Sequence, residues 1–280
     1  MELAGTGWTL LGTSFRCLGM PSGPGAELAA LLRGFPRLSS PAGEAVDFEV
    51  HEGDTAPEIT LGGIRRALGT SDPVASQVEY LLVNEALQRA REHHVLHAGG
   101  VVTPAGTCLV VGESGAGKTS LTLWLWSSGF RLLTDDLCPI LQSSLRPEIF
   151  PRSLHMDAEY SPVLMGRIPP RPSSYPKDYY PFPNAPAQDV SPAPPPVPPV
   201  TALLAIQRGP RPEGEITPLS QAEATHVLLG AVIRNPAFQY GKALEDMMRL
   251  ASSCTAWRLR ASTPEGAGER AVETLASALR

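Results

Sequence analysis

The sequence has few cysteines, no dense run of basic residues and no long apolar stretch. Its four cysteines stand far apart, without the C-x-x-C spacing of a zinc site or the density of a disulfide framework, and they fit a reducing compartment. No stretch approaches the roughly 18 apolar residues that a membrane helix needs. The first residues lack the basic and apolar segments of a signal peptide. We therefore expect a cytoplasmic protein with no membrane partner.

The charge of the chain gives no reason to expect a nucleic-acid partner. The 280 residues have a net charge of -5 at pH 7, and the 23 lysines and arginines form no basic run. An acidic chain does not attract a phosphate backbone. The chain also lacks the Asn-Lys-x-Asp and Asp-x-x-Gly segments of GTPases and the LSGG-like signature of transporter ATPases. These nucleotide-binding classes are therefore excluded.

One stretch carries the strongest functional signal. Residues 107–111 form a short, valine-rich run that predicts a buried strand, and residues 120–128 predict a helix. Between them, GESGAGKT at 112–119 matches the phosphate-binding pattern G-x-x-x-x-G-K-[ST] at every fixed position and in the strand-loop-helix context that it requires. The predicted nucleotide-binding residues are Gly112, Glu113, Ser114, Gly115, Ala116, Gly117, Lys118, Thr119 and Ser120.

This spacing suits a nucleoside triphosphate because several backbone N–H groups must meet the phosphate oxygens together. The glycines let the main chain approach the anion, and the N-terminus of the following helix adds partial positive charge. Lys118 would place a full charge on the β- and γ-phosphates, and the Thr119 hydroxyl would ligate Mg²⁺. The alternative is a glycine-rich turn that happens to precede a lysine.

Two acidic residues follow the next predicted strand. Residues 130–134 form a second apolar run that ends in Asp135 and Asp136. In an open α/β sheet, polar residues at the carboxyl end of a strand face the ligand crevice. One aspartate would place Mg²⁺ and the other would accept a proton from an attacking hydroxyl. A solvated turn or a helix cap is the alternative interpretation.

Three segments together resemble the catalytic core of the HPr kinase/phosphorylase family and its HPr kinase-like relatives. The segments are VLHAGG at 95–100, the GESGAGKT loop and LLTDD at 132–136, and they occur in the family's order. The resemblance implies an α/β P-loop kinase core with a mixed sheet flanked by helices, which uses ATP and Mg²⁺ to phosphorylate a hydroxyl, usually a serine. It implies Asp135 as the catalytic aspartate, Asp136 near the metal and the loop, and His97 close to the reacting centre.

From these roles we hypothesise that Thr119 and Asp136 place Mg²⁺, that Asp135 takes the proton, and that His97 orients or tunes Asp135. Ala98 stands where the family usually has glycine, and the carboxyl-terminal signature used for dephosphorylation is missing. Both departures favour an acceptor other than HPr. The acceptor stays open between a serine of a protein or peptide and a small-molecule alcohol. A non-catalytic nucleotide-binding regulator in a biosynthetic complex is the second class of function, and a homo-oligomer is compatible with the sequence.

The pattern of elements predicts two parts. Residues 1–92 predict a small N-terminal α+β unit, with a strand that turns at Gly12 and a helix over 74–92. Residues 93–280 predict the kinase core, which continues with further alternating strands and helices, among them a helix capped by Ser220. A proline-rich loop occupies residues 169–200 of this core.

Two further observations concern histidines and an arginine. His93, His94 and His97 are poorly spaced for a metal site, and we interpret the first two as residues of a helix C-terminus. Arg152 is a candidate to stabilise charge on the transferred phosphoryl group, as arginine fingers do, and a surface arginine is the alternative.

Overall fold

A computed structural model describes residues 3–38, 44–157, 177–180, 182, 196–212 and 214–278. The chain divides into two compact units. The first contains the described residues up to 90, together with 151–157, 177–180 and 182; the second contains 91–150 and the described residues from 196 onward. Most of the proline-rich loop predicted at 169–200 lies outside the described residues.

The first unit contains a five-stranded mixed sheet and two helices. The strands, in sheet order, are β1 (Gly7–Leu10), β2 (Thr13–Gly19), β3 (Val46–His51), β4 (Glu58–Leu61) and β5 (Ile64–Ala67). Only β2 and β3 run parallel among these neighbours. The helices are α1 (Ser22–Leu31) and α2 (Val74–Arg89), and a separate antiparallel pair is formed by β10 (Leu154–Asp157) and β11 (Lys177–Tyr180).

Two hairpins of this sheet, β1–β2 and β4–β5, turn through two residues with positive φ. Leu11 and Gly12 have φ of 50° and 77°, and Gly62 and Gly63 have φ of 58° and 81°. Such pairs match the right-handed twist of the strands that they join. The predicted turn at Gly12 is confirmed, whereas the second hairpin was not predicted.

The second unit contains a seven-stranded mixed sheet and four helices. The strands are β6 (His93–Thr103), β7 (Gly106–Val111), β8 (Arg131–Thr134), β9 (Leu137–Leu141), β12 (Val200–Arg208), β13 (Glu215–Pro218) and β14 (Thr255–Ala261). Their order is β13-β14-β12-β7-β6-β8, and β9 also pairs with β6. The helices are α3 (Lys118–Ser127), α4 (Gln221–Ala231), α5 (Tyr240–Ser252) and α6 (Pro264–Ala278).

The strands at the centre of this sheet are parallel and buried. β7, β12 and β14 run in one direction, and every residue of β7 is buried. A core of apolar side chains joins this sheet to α4 and α5. α4 begins with the predicted capping box. The Glu223 N–H donates to the Ser220 hydroxyl, and the Ser220 N–H donates to the Glu223 carboxylate. The expected α/β class, with mixed sheets flanked by helices, is confirmed.

One local prediction was wrong. His93 and His94 do not end a helix, because α2 stops at Arg89 and Ala90 leaves the helical region with ψ of 89°. The two histidines instead open β6, where they pair with Leu141 and Ile140 of β9. Among the described residues, no helix combines the length and the apolar character needed to cross a membrane.

Candidate functional site

The phosphate-binding loop leaves β7 at Val111 and runs close to the neighbouring strand β12. A Cβ at Gly112 would lie 2.4 Å from the backbone oxygen of Ile206, so the close approach excludes a side chain there. Gly115 and Gly117 have φ of 74° and 99°, in the left-handed region that favours glycine. The two fixed glycines of the pattern are therefore required for different reasons: Gly112 by its close contact and Gly117 by its conformation.

α3 begins at Lys118, inside the GESGAGKT segment and two residues before the predicted range of 120–128. Lys118 is its first residue and is largely buried, and Thr119 and Ser120 lie in the first turn. The Lys118 Nζ donates hydrogen bonds to the carbonyl oxygens of Gly112 at 3.0 Å and Glu113 at 3.1 Å. The Lys118 side chain therefore folds back towards the start of the loop, where its ammonium group binds these two carbonyl oxygens.

The pKa of Lys118 reflects two opposing effects. Burial lowers it, because the charged form loses water, and the nearby carboxylate of Asp136 raises it. The net pKa is below the usual lysine value. Asp136 is therefore near enough to Lys118 to act on its charge, although the two residues are 18 positions apart in the sequence.

The two aspartates occupy the break between β8 and β9. Both strands pair antiparallel with β6, and the Ala98 N–H of β6 donates to the Asp136 carbonyl oxygen at 2.9 Å. The Thr134 hydroxyl donates to the Leu137 carbonyl oxygen at 2.8 Å across the same break. Asp135 is buried, with 7% of its surface exposed, whereas 35% of the Asp136 side chain is exposed. The acidic pair is thus fixed by the strands on either side of it.

His97 joins the cluster from β6. Its Nδ1 lies 3.1 Å from Asp136 Oδ1, and 41% of its side chain is exposed. The hypothesis assigned this histidine to Asp135, but the contact described here is with the neighbouring aspartate. Asp136 therefore contacts a histidine on the sheet and acts on the charge of the lysine at the helix N-terminus.

The donors fit Mg²⁺ better than zinc. The Thr119 hydroxyl and the Asp136 carboxylate are hard oxygen ligands, and Mg²⁺ commonly uses one or two carboxylates together with waters and substrate phosphates. In the part of the chain that the structure describes, no group of three or more His, Cys, Asp or Glu side chains could hold a metal by itself.

Arg152, the remaining predicted site residue, belongs to the first unit. Its Nε and Nη2 donate to the two carboxylate oxygens of Glu79 at 2.6 Å and 2.9 Å. Glu79 is fully buried, so its charge depends on this bidentate pair. The geometry gives Arg152 a structural partner, and we assign it no catalytic role below.

His93 and His94 also have carboxylate partners. His93 Nε2 lies 2.9 Å from Glu148 Oε2, and His94 Nε2 lies 2.9 Å from the fully buried carboxylate of Asp246. The Lys242 Nζ donates to the other oxygen of Asp246 at 2.9 Å. These contacts tie β6 to the segment after β9 and to α5.

Sequence reasoning missed one charged residue beside the loop. Arg208, at the carboxyl end of β12, donates from Nε to the carbonyl oxygen of Gly115 at 3.2 Å. The sequence signal that could have found it is its position, because Arg208 is a cation that directly follows the buried apolar run VTALLAIQ.

Comparisons with known proteins add no family assignment. A scan against models of protein families and a search of curated proteins found no match to this chain. The resemblance to HPr kinase-like proteins therefore depends on the histidine, loop and aspartate segments alone.

Proposed function

We propose that this protein is an ATP-dependent phosphotransferase of the HPr kinase-like type, which transfers the γ-phosphoryl group to a hydroxyl. One observation carries the proposal. Asp136 acts on the charge of Lys118, whose pKa it raises against the larger lowering by burial, and it also contacts His97, so the loop lysine, this aspartate and the histidine form a single cluster. A glycine-rich turn without function requires no such cluster.

The loop and α3 would bind the triphosphate. Backbone N–H groups of residues 112–119 and the N-terminus of α3 attract the phosphate oxygens, and Lys118 adds a full positive charge. The Lys118 ammonium already lies over the loop, where it bonds to two carbonyl oxygens. On binding, it would exchange these neutral acceptors for phosphate oxygens, which form the stronger charge-assisted bonds.

The acidic pair would divide the remaining work. Asp135 is the more buried of the two, and it would accept the proton of the attacking hydroxyl. Asp136 and Thr119 would hold Mg²⁺, which when bound neutralises charge on the β- and γ-phosphates. The contact from His97 would fix the orientation of Asp136. Phosphoryl transfer depends mainly on such positioning and electrostatic stabilisation.

The test measures transfer and binding separately. The protein is incubated with ATP, Mg²⁺ and candidate acceptors, namely serine-containing peptides, proteins and small alcohols. The release of ADP is measured, and phosphorylated products are identified by mass spectrometry. We expect Asp135→Asn to lose roughly 10²–10⁴-fold in transfer, the size of a general-base contribution, while it retains ATP binding. Asp72→Asn, at an exposed aspartate of the first unit, is the control and should match the wild type.

Two results would contradict the proposal. Hydrolysis of ATP without transfer to any acceptor would remove the transferase assignment. ATP binding with no turnover in either the wild type or Asp135→Asn would favour a nucleotide-binding regulator instead.

A further inference from the structure

We infer that Arg208 is a second cationic nucleotide-binding residue, which contacts the polyphosphate of the nucleotide together with Lys118. This inference rests on the proposed function. It adds to the site a side chain that lies 90 positions after Lys118 in the sequence and outside the phosphate-binding pattern.

The register of the sheet directs Arg208 towards the loop. β12 runs parallel to β7, with Ala205 opposite Val111, so the two strands end side by side. The next residue of β12, Ile206, lies under the loop: a Cβ at Gly117 would meet its Cδ1 at 3.6 Å. Side chains two positions apart in a strand lie on the same face. Arg208 therefore shares the face on which Ile206 supports the loop.

The contact with the loop agrees with that direction. The Arg208 Nε donates to the Gly115 carbonyl oxygen at 3.2 Å, and Gly115 has the left-handed φ that shapes the loop. Lys118 bonds to the carbonyl oxygens of two other loop residues. Two cations from different elements thus meet the carbonyl oxygens of one short loop whose pattern predicts an anion.

The rest of the guanidinium suits a polyphosphate. Within the described part of the chain, Gly115 O is the one acceptor that Arg208 contacts, and its side chain is exposed. A guanidinium carries five N–H donors in a planar fork, and phosphate oxygens accept two of them in parallel. The Nε bond can therefore stay on the loop while the Nη groups contact phosphate. A purely structural bond between an exposed side chain and one carbonyl would contribute little.

The neighbouring strand supplies a matched control. Arg260 of β14 is also an exposed arginine near the end of a parallel strand, and its Nε donates to Gln207 Oε1 at 3.3 Å. In the register of the two strands Gln207 pairs with Arg260, and Arg208 pairs with Ala261. Paired residues of neighbouring strands point to the same face of a sheet. Arg260 therefore lies on the face of the sheet opposite to Arg208, away from the loop.

The experiment compares nucleotide affinities of the full chain by calorimetric titration. ATP, ADP and AMP are each titrated into the wild type, Arg208→Gln, Arg208→Lys and Arg260→Gln, and thermal unfolding checks that every variant is folded. We expect Arg208→Gln to weaken ATP binding roughly tenfold or more, the size of a charge-assisted hydrogen bond, and AMP binding by much less. Arg208→Lys should retain part of the affinity, and Arg260→Gln should stay within about twofold of the wild type.

The outcomes separate this inference from the proposed function. If the wild type binds ATP and Arg208→Gln binds it equally well, the inference is wrong and the proposed function stands. An equal loss of ATP and AMP affinity would also overturn the inference, because the arginine would then contact the nucleoside. If the wild type binds no ATP, the proposed function fails and the inference fails with it.

Discussion

Replacing Gly99 with alanine tests how closely α3, which begins at Lys118, packs on β6, which carries His97. A Cβ at Gly99 would lie 2.0 Å from Thr122 Oγ1, 3.1 Å from Thr122 Cβ and 3.2 Å from Thr122 Cγ2. Thr122 is fully buried in α3. Rotation about the Thr122 Cα–Cβ bond can move the hydroxyl, but it cannot move Cβ. The new methyl group must therefore push the helix and the strand apart.

The expected cost follows from that contact. Overpacking a core costs about 1–3 kcal/mol, and we expect Gly99→Ala near the upper end because part of the clash cannot be relieved by rotation. For a unit of this size, 1 kcal/mol corresponds to about 2–4 °C in Tm, so the Tm should fall by roughly 4–10 °C. Transfer activity should fall as well, because the shift moves the start of α3 relative to the acidic pair.

A double-mutant cycle, measured by urea unfolding, isolates the contact. Thr122→Ala removes Oγ1 and Cγ2, and Oγ1 is a buried atom with no hydrogen-bond partner among the described residues. Alone it should cost less than about 1 kcal/mol, and in the Gly99→Ala background it should recover about 1 kcal/mol or more. Gly100→Ala is the control, because the shortest contact of its Cβ would be 3.2 Å to Leu133 Cδ2, the flexible end of a side chain, and its next contacts would be 3.5 Å and 3.6 Å. Additive costs for Gly99→Ala and Thr122→Ala would refute the close packing.

Three further predictions concern charged groups. Arg152→Gln should reduce the free energy of unfolding by about 3–5 kcal/mol, because it leaves the buried Glu79 unpaired, and urea titrations measure this change. A loss of ATP affinity without loss of stability would contradict the structural role of Arg152. Burial raises the pKa of Asp246, but hydrogen bonds from a lysine and a histidine lower it by more, so its folded pKa lies below the unfolded value of about 3.9. The stability that this carboxylate contributes is therefore present above about pH 4 and is lost as the pH falls through the folded pKa; unfolding curves against pH should show this loss in the wild type but not in Asp246→Asn. Asp136→Asn should lower the pKa of Lys118 further, because it removes the carboxylate that raises it, and an unchanged ammonium titration by NMR would show that the two groups do not interact.

Much of the second unit could be predicted because its signals are local. The buried strand β7, the loop at 112–119 and the capping box at the start of α4 each depend on residues close together in the sequence. The contact between His97 and Asp136 follows from the pairing of β6 with β9, which no local pattern shows. The resemblance to a kinase family places these residues in one site, whereas our hypothesis joins His97 to Asp135 and the described contact is with Asp136.

The errors have physical causes in particular residues. The sequence predicts His93 and His94 at a helix C-terminus, where a cation interacts well with the helix dipole, yet they are buried in a strand with Glu148 and Asp246 as partners. Gly99 lies inside β6, where the missing side chain gives α3 room to pack. Tertiary packing decided both cases.

The measurement that tests the central claim most directly is ATP binding by the wild type and by Lys118→Met at equal Mg²⁺ concentration. Methionine replaces the apolar stem of the lysine with an unbranched side chain one atom shorter, and it removes the charge that would meet the phosphates. We expect the wild type to bind ATP and Lys118→Met to bind it at least tenfold more weakly, and thermal unfolding checks that the variant is folded. Equal ATP affinity in the two proteins would contradict the assignment of this loop as the phosphate site.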